Sequence, residues 1–178
     1  MAYDRDELLA KLARALAQNP GSSMKELAEE AGISKASLHR IYSTRDSLCQ
    51  TLVEHTTHIL VDLMELLRRE HHDFDGELKE LIAFYVKHDA FVLFIGREAF
   101  VQMIDEAVWD SCDEALASFF RGGKEAGAWR ADFSSEEMRD IFRSLVVGIL
   151  EHNLWDGKYG KTAEKLIYRA LLGGIASK

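Results

Sequence analysis

The chain has 178 residues, of which 47% are hydrophobic. This length suits one compact unit or a small domain joined to a larger one. No segment has the run of about 18 apolar residues that a membrane span needs, and the acidic start MAYDRDELL lacks the basic-then-apolar order of a signal peptide. Two distant cysteines, Cys49 and Cys112, indicate free thiols in a reducing compartment. We therefore expect a cytoplasmic protein with no membrane partner.

The formal net charge of −8 is unevenly distributed along the chain. Residues 1–50 contain seven basic and seven acidic residues, so the remaining 15 basic and 23 acidic residues carry the whole excess. Because contact with phosphate needs only a local basic surface, this balance does not exclude nucleic acid. It predicts a neutral N-terminal region on an acidic body.

Apolar residues recur every three to four positions along almost the whole chain, and there is only one proline. This periodicity predicts an all-α fold of about nine helices. We expect a three-helix head at residues 1–47, joined by a long fourth helix to a helical bundle at 48–178. The predicted helices cover residues 4–18, 24–31, 35–42, 45–70, 76–94, 97–104, 105–126, 135–156 and 162–173.

Residues 24–48, MKELAEEAGISKASLHRIYSTRDSL, have the pattern of two short helices joined at a glycine turn. Gly32 follows the first helix, where a residue with positive φ is needed. Ser34 offers a hydroxyl to cap the second helix, which we expect to bury Leu38 and Ile41. This is the plan of a helix-turn-helix, whose second helix enters the DNA major groove. An ordinary helical hairpin in an all-α core is the alternative.

The expected surface of the second helix is basic. No acidic residue lies between Ile33 and Arg45, whereas Lys35, His39 and Arg40 do. A helical enzyme, or a small-molecule carrier whose hairpin only resembles a DNA reader, would not need this surface. A protein-interaction module would instead show an apolar exposed face there. We therefore expect double-stranded DNA as the partner.

Residues 22–48 resemble the DNA-binding head of the tetracycline-repressor-like (TetR) family of bacterial regulators, in the segment ELAEEAGISKASLHRIY and in Arg45-Asp46-Ser47-Leu48 at the start of the fourth helix. The resemblance implies a homodimer that binds a pseudo-palindromic operator and is released by a small effector. Carried over by position, it implies that Lys35 and Ser37 face bases or phosphates and that Arg45 contacts phosphate. The main departure is His39, where the family usually has tyrosine. The full DNA-binding set is Ser23, Ser34, Lys35, Ser37, His39, Arg40, Tyr42 and Arg45.

The last two predicted helices offer more apolar surface than a small monomer should expose. An isologous pair would form a four-helix interface from them, although the same surface could pack inside one subunit. The expected interface residues are Met138, Ile141, Leu145, Ile149, Leu166, Ile167 and Ala170.

We expect an effector pocket among the fourth to eighth helices, with His88 and His152 as polar anchors in an apolar lining. The aromatic lining favours an uncharged or aromatic compound, although the alternative is that most of these aromatic residues are simply core. The candidates are Phe84, His88, Phe91, Met103, Trp109, Cys112, Phe142, His152 and Trp155.

No cofactor, metal site or catalytic group is expected. The paired histidines at 55 and 58 and at 71 and 72 lack the acids or cysteines that would complete a zinc site. The sequence contains no phosphate-binding glycine loop, nucleophile elbow or H-E-x-x-H motif.

Overall fold

The computed structural model describes residues 4–175, apart from the side chains of residues 161 and 175. Over this range the chain forms helices, turns and loops without a β-strand, which confirms the all-α prediction. None of the described helices is both long and apolar enough to cross a membrane. The helices are α1 Arg5–Gln18, α2 Met24–Ala31, α3 Lys35–Ile41, α4 Arg45–Arg68, α5 Phe74–Lys87, α6 Asp89–Ile95, α7 Glu98–Val101, α8 Glu106–Glu125, α9 Ser135–Asp156 and α10 Ala163–Ile175, with a 3₁₀ turn at Gly160–Thr162.

The single helix predicted over residues 76–94 is two helices. The first, α5, ends at Lys87, because His88 leaves the helical region with φ −103° and ψ 21°. The second, α6, begins at the next residue, Asp89. No glycine or proline marks this break, so tertiary packing must set it: α5 packs against α9 and α10, whereas α6 packs against α1.

The described chain divides into two compact units that alternate along the sequence. The first unit contains the residues through His58 together with Asp89–Ile104. The second contains Ile59–His88 and the residues from Asp105 onward. The division that we expect at residues 47 and 48 concerns the DNA-binding head alone and stays a prediction.

The first unit has an aliphatic core, and arginine side chains fasten its helices. Leu12 and Leu16 of α1 and Leu27 of α2 are fully buried. Arg14 forms an ion pair with Asp89 at 2.7 Å, and Arg97 donates from Nε to the carbonyl oxygen of Ala17 at 2.7 Å. These two contacts hold the two ends of the α6 segment to α1.

The second unit has an aromatic core. The indole of Trp129 lies within 6.5 Å, between ring centroids, of Phe74, Phe119 and Phe120. Phe120 also approaches Phe142 at 5.8 Å, which brings α8 and α9 together. Aromatic rings of this size dominate the apolar area that such a core buries.

Candidate nucleic-acid interface

The start of α2 is fixed by a reciprocal cap. The Ser23 hydroxyl oxygen accepts from the backbone N–H of Glu26 at 3.3 Å, and the Glu26 carboxylate accepts from the backbone N–H of Ser23 at 2.7 Å. This is the capping box that satisfies donors left free at a helix start. The helix then turns its apolar side inward, and Leu27 and Ala28 are almost wholly buried.

Gly32 forms the turn between α2 and α3 with φ 73° and ψ 29°, in the left-handed region. Its N–H donates to the Glu29 carbonyl at 3.0 Å, and the next N–H, of Ile33, donates to Ala28 at 2.9 Å. A side chain at Gly32 would meet no atom within 4 Å. The position therefore requires glycine for its backbone angle and not for lack of space.

The recognition helix α3 begins at a serine cap and exposes its basic side chains. The Ser34 hydroxyl oxygen accepts from the backbone N–H of Ser37 at 3.0 Å. Lys35, His39 and Arg40 are exposed, and no carboxylate of the described residues forms an ion pair with Lys35 or Arg40. These cations are therefore available to an external anion.

The helix is anchored by Leu38 and Tyr42, which differs from the expectation of Leu38 and Ile41. Leu38 is fully buried and Tyr42 is 7% exposed, whereas Ile41 is 46% exposed, so the expected burial of Ile41 is wrong. The reason is that α3 ends at Ile41 and Tyr42 adopts extended angles, φ −125° and ψ 107°. That turn brings the tyrosine ring inward, and burial raises the pKa of its hydroxyl.

Arg45 is half-buried at the start of α4. Its Nε donates to the carbonyl oxygen of Ser22 at 3.1 Å, and its Nη2 donates to the carbonyl oxygen of Pro20. The guanidinium thus fastens α4 to the turn between α1 and α2. A phosphate contact of Arg45 stays a prediction, and this bracing role is one that the sequence did not indicate.

The remaining polar residues of the predicted set lie on α3 or at its N-cap. The Ser34 hydroxyl donates to the Ser37 hydroxyl oxygen at 2.9 Å, so both serines serve the helix start. His39 Nδ1 lies 3.4 Å from the Ser43 carbonyl oxygen. This contact leaves Nε2 as the ring nitrogen that could meet DNA.

The residues predicted to bind an effector are spread over both units. Phe91 lies in the first unit, 4.6 Å from the ring of His55, and Met103 of that unit is 41% exposed. In the second unit, Phe84 and His88 are ring neighbours at 4.6 Å. The others range from buried to exposed and are, in that order, Phe142, Cys112, Trp109, His152 and Trp155.

Two polar residues near this group were not predicted from the sequence. Tyr85 is buried and packs edge-on against Phe142 at 5.4 Å, and burial raises the pKa of its hydroxyl. Arg143 forms an ion pair with Asp113, the residue after Cys112. Burial raises the pKa of the Cys112 thiol to about 11. Tyr85 and Arg143 occupy ordinary helix positions, so no sequence signal marked them.

The residues predicted for a dimer interface divide into two groups. Met138, Ile149 and Ile167 are buried within the subunit. Ile141 and Leu166 are 38% and 37% exposed. The remaining surface positions are the half-buried Leu145 and the exposed Ala170.

Two capped helices are joined by a glycine turn, and the second exposes basic side chains that have no carboxylate partner in the described chain. This arrangement is that of a helix-turn-helix DNA-binding protein. A family model described as winged helix-turn-helix DNA-binding matches residues 5–43. The match spans α1 to α3, and the described residues supply the helices without a β-wing.

Three known proteins are similar over most of the chain. The HTH-type transcriptional regulator NfxB of Pseudomonas aeruginosa is 35% identical over 150 residues, which cover 82% of this chain and 80% of NfxB. The MbdR regulator from Azoarcus sp. CIB shares the fold with a TM-score of 0.71 and 19% identity, over 97% of this chain and 98% of MbdR. The TetR-like regulator LfrR from Mycobacterium smegmatis, solved in complex with proflavine, has a TM-score of 0.64 and 20% identity, over 98% and 97% of the two chains.

The chain belongs to the TetR family of transcriptional regulators. It combines the helix-turn-helix of a DNA-binding regulator with a helical C-terminal domain, and it shares its fold with MbdR.

Proposed function

We propose that this regulator is a repressor that binds a pseudo-palindromic operator as a homodimer and leaves it when a small effector binds. The observation that supports DNA reading is the surface of α3. Lys35 and Arg40 are exposed without a carboxylate partner in the described chain, while Leu38 holds the helix from behind. Exposed cationic side chains on such a helix bind DNA phosphates and the major-groove edge of guanine.

Within this interface, we assign Lys35, Ser37, His39 and Arg40 to the groove and its flanking phosphates. Ser23 and Ser34 start α2 and α3 and would lie at the phosphate edges of the contact. Arg45 acts mainly by holding α4 to the α1–α2 turn, because its guanidinium donates to the carbonyl oxygens of Ser22 and Pro20. Tyr42, which is 7% exposed, anchors the end of α3.

The proposed dimer rests on an apolar strip along α9 and α10. Ile141 and Leu145 lie one turn apart on α9, and Leu166 and Ala170 lie one turn apart on α10, all at least partly exposed. Such a strip can pair with itself around a two-fold axis. A two-fold dimer presents two copies of α3 to half-sites one helical turn apart.

We propose an apolar or aromatic effector that binds in the second unit. The supporting observation is its aromatic interior, in which Tyr85 and Phe142 pack beside Cys112. LfrR, a fold neighbour, was solved with proflavine bound. No catalytic role is proposed for this chain, and the two buried free thiols fit a cytoplasmic setting.

The first test is a selection of genomic DNA fragments by the purified protein at two salt concentrations. We expect one palindromic sequence to be retained, more weakly at high salt. Lys35→Ala/Arg40→Ala should lose it, because two unpaired cations of α3 are removed. Lys11→Ala is the matched control, since Lys11 is already paired with Glu7 at 2.8 Å.

Two results would contradict the proposal. One is equal retention of the operator by the double variant and the parent. The other is a monomer at micromolar concentration in analytical ultracentrifugation, with no change on Leu166→Glu. If one palindromic site is retained as expected, its neighbouring genes indicate which effector classes to titrate.

A further inference from the structure

A cleft of about 520 Å³ opens in the first unit beside the end of the recognition helix. It is bordered by the start of α1, the end of α3 and the first two turns of α4. We call it the α1 cleft. Its lining residues are Arg5, Leu8, Ile41, Tyr42, Ser43, Ser47 and Thr51.

The lining combines a cation with an apolar wall. Arg5 is exposed, and no carboxylate among residues 4–175 forms an ion pair with it. Ile41 presents 46% of its surface at the end of a helix whose Leu38 is fully buried. None of the seven lining residues is acidic.

The hydroxyl groups add little donor capacity on the α4 side. Thr51 donates its hydroxyl proton to the Ser47 carbonyl at 2.9 Å, and Ser47 donates its own to the Thr44 carbonyl at 3.0 Å. Arg5 is the one cationic donor among the seven lining residues, beside the hydroxyls of Tyr42 and Ser43. An arginine fork matches two oxygens of one phosphate.

We propose that the α1 cleft seats one sugar–phosphate unit of the operator strand, with Arg5 binding the phosphate and Ile41 packing against the deoxyribose. This inference rests on the proposed reading of DNA by α3. It adds α1 to the interface and assigns DNA contact to two residues, Arg5 and Ile41.

The position of the cleft favours a DNA strand over a free anion. The seven residues of α3 span about 10 Å, close to the ~12 Å width of the major groove. When Lys35 and Arg40 face the groove, the end of α3 at Ile41 reaches a strand that borders it. Contacts to phosphate and sugar at this border fix the orientation of a reading helix.

The test uses the full chain and a duplex carrying the operator retained in the selection, with affinity measured over a range of KCl. We expect Arg5→Gln to weaken binding about tenfold and to reduce the slope of log K against log salt by about 0.9 per lost phosphate contact. Ile41→Ser should weaken binding without changing that slope. Lys11→Gln, on the same helix and outside the cleft, should change neither.

A scan with methylphosphonate links locates the contact. A methylphosphonate replaces one charged phosphate by a neutral group. At one position per half-site, we expect this replacement to weaken DNA binding by the parent and by Lys11→Gln. It should not weaken binding by Arg5→Gln any further, because that variant has already lost the contact, as in a double-mutant cycle. Parental affinity and slope for Arg5→Gln, while Lys35→Ala/Arg40→Ala loses the operator, would overturn the cleft assignment and leave the proposed function standing.

Two other outcomes also decide the matter. Absence of any retained DNA for the parent would remove the proposed function and this inference with it. Saturable binding of inorganic phosphate that Arg5→Gln abolishes, with unchanged DNA affinity of that variant, would assign the cleft to a free anion and overturn the proposal. Thermal melts of each variant establish that it is folded, and exposed Arg5 should be replaceable without loss of stability.

Discussion

The two units hold their helices together in different ways. In the first, arginine side chains reach backbone carbonyls at helix ends, as Arg45 does at Ser22 and Arg97 does at Ala17. In the second, aromatic rings fill the space between helices, as Phe120 and Trp129 do. A hydrogen bond is lost when a substitution removes its donor, whereas a close-packed interior is destabilised when a substitution adds volume. The first unit should therefore be sensitive to lost charge and the second to added atoms.

The largest expected effect is in the aromatic core. A methyl group at Gly123 would lie 1.8 Å from Nε1 of Trp129, and no flexible side-chain end is there to move aside. We expect Gly123→Ala to lower the free energy of unfolding by about 3 kcal/mol, as overpacking does. Urea unfolding followed by tryptophan fluorescence measures it.

The neighbouring Gly122 provides the matched control for this prediction. Its added methyl group would approach only the Phe74 ring edge, at 3.2 Å. A shift of a few tenths of an ångström accommodates it, and the gain in helix propensity offsets the cost. Equal destabilisation by Gly122→Ala and Gly123→Ala would show that volume at Trp129 is not what limits this core.

Arg45 tests the first unit, and its expected effect is smaller. Arg45→Ala removes two charge-assisted hydrogen bonds to the α1–α2 turn, which should cost about 2 kcal/mol of unfolding free energy. Operator affinity should fall while the salt slope stays at the parental value, because a brace contributes no phosphate contact. Fluorescence anisotropy over a range of KCl gives both quantities.

Arg45→Lys separates bracing from direct contact with DNA. Lysine keeps the charge but offers one compact donor group in place of the fork that reaches two carbonyls. We therefore expect it to behave like Arg45→Ala. Recovery of parental affinity in Arg45→Lys, together with a slope lowered by about 0.9 in Arg45→Ala, would instead establish a phosphate contact.

The smallest expected effect concerns a polar contact within the second, aromatic unit. Burial opposes ionisation of Glu77, but donors at the backbone of His72 and Asp73 and at the His71 ring outweigh it and lower the pKa of Glu77 below 4.5. A lowered pKa means that the ionised carboxylate stabilises the fold. That contribution is complete above pH 4.5 and is lost as the pH falls through the lowered pKa.

The measurement is the urea midpoint between pH 7 and pH 3. Glu77→Gln should be less stable than the parent near neutral pH and should approach it towards pH 3. Glu65→Gln, at an exposed position of α4, serves as control and should follow the parent. A constant gap between Glu77→Gln and the parent at every pH would exclude a role for the charge.

Local signals explain why the helix-turn-helix could be predicted closely. The cap at Ser34 and the positive φ at Gly32 depend on residues within four positions, and the structure has both. Ile41 shows the limit of periodicity, because the helix ends there and the chain direction, not the spacing, decides which side chain is buried.

Long-range packing explains what could not be predicted. The break at His88 separates two apolar stretches that belong to different units, and nothing in the local sequence distinguishes them. Tyr85 and Arg143 become neighbours only when α5 and α9 pack together. The Arg45 brace likewise spans more than 20 residues of chain and ends on backbone carbonyls, which carry no residue signature.

The division of labour on α3 has an evolutionary consequence. Leu38 and Tyr42 carry the packing of this helix, while Lys35 and Arg40 project from it without contacts on which the described fold depends. Substitutions at the projecting positions should therefore be nearly neutral for stability. Descendants of such a gene can acquire new target sequences on an unchanged scaffold, so that regulatory circuits diverge faster than the protein architecture that serves them.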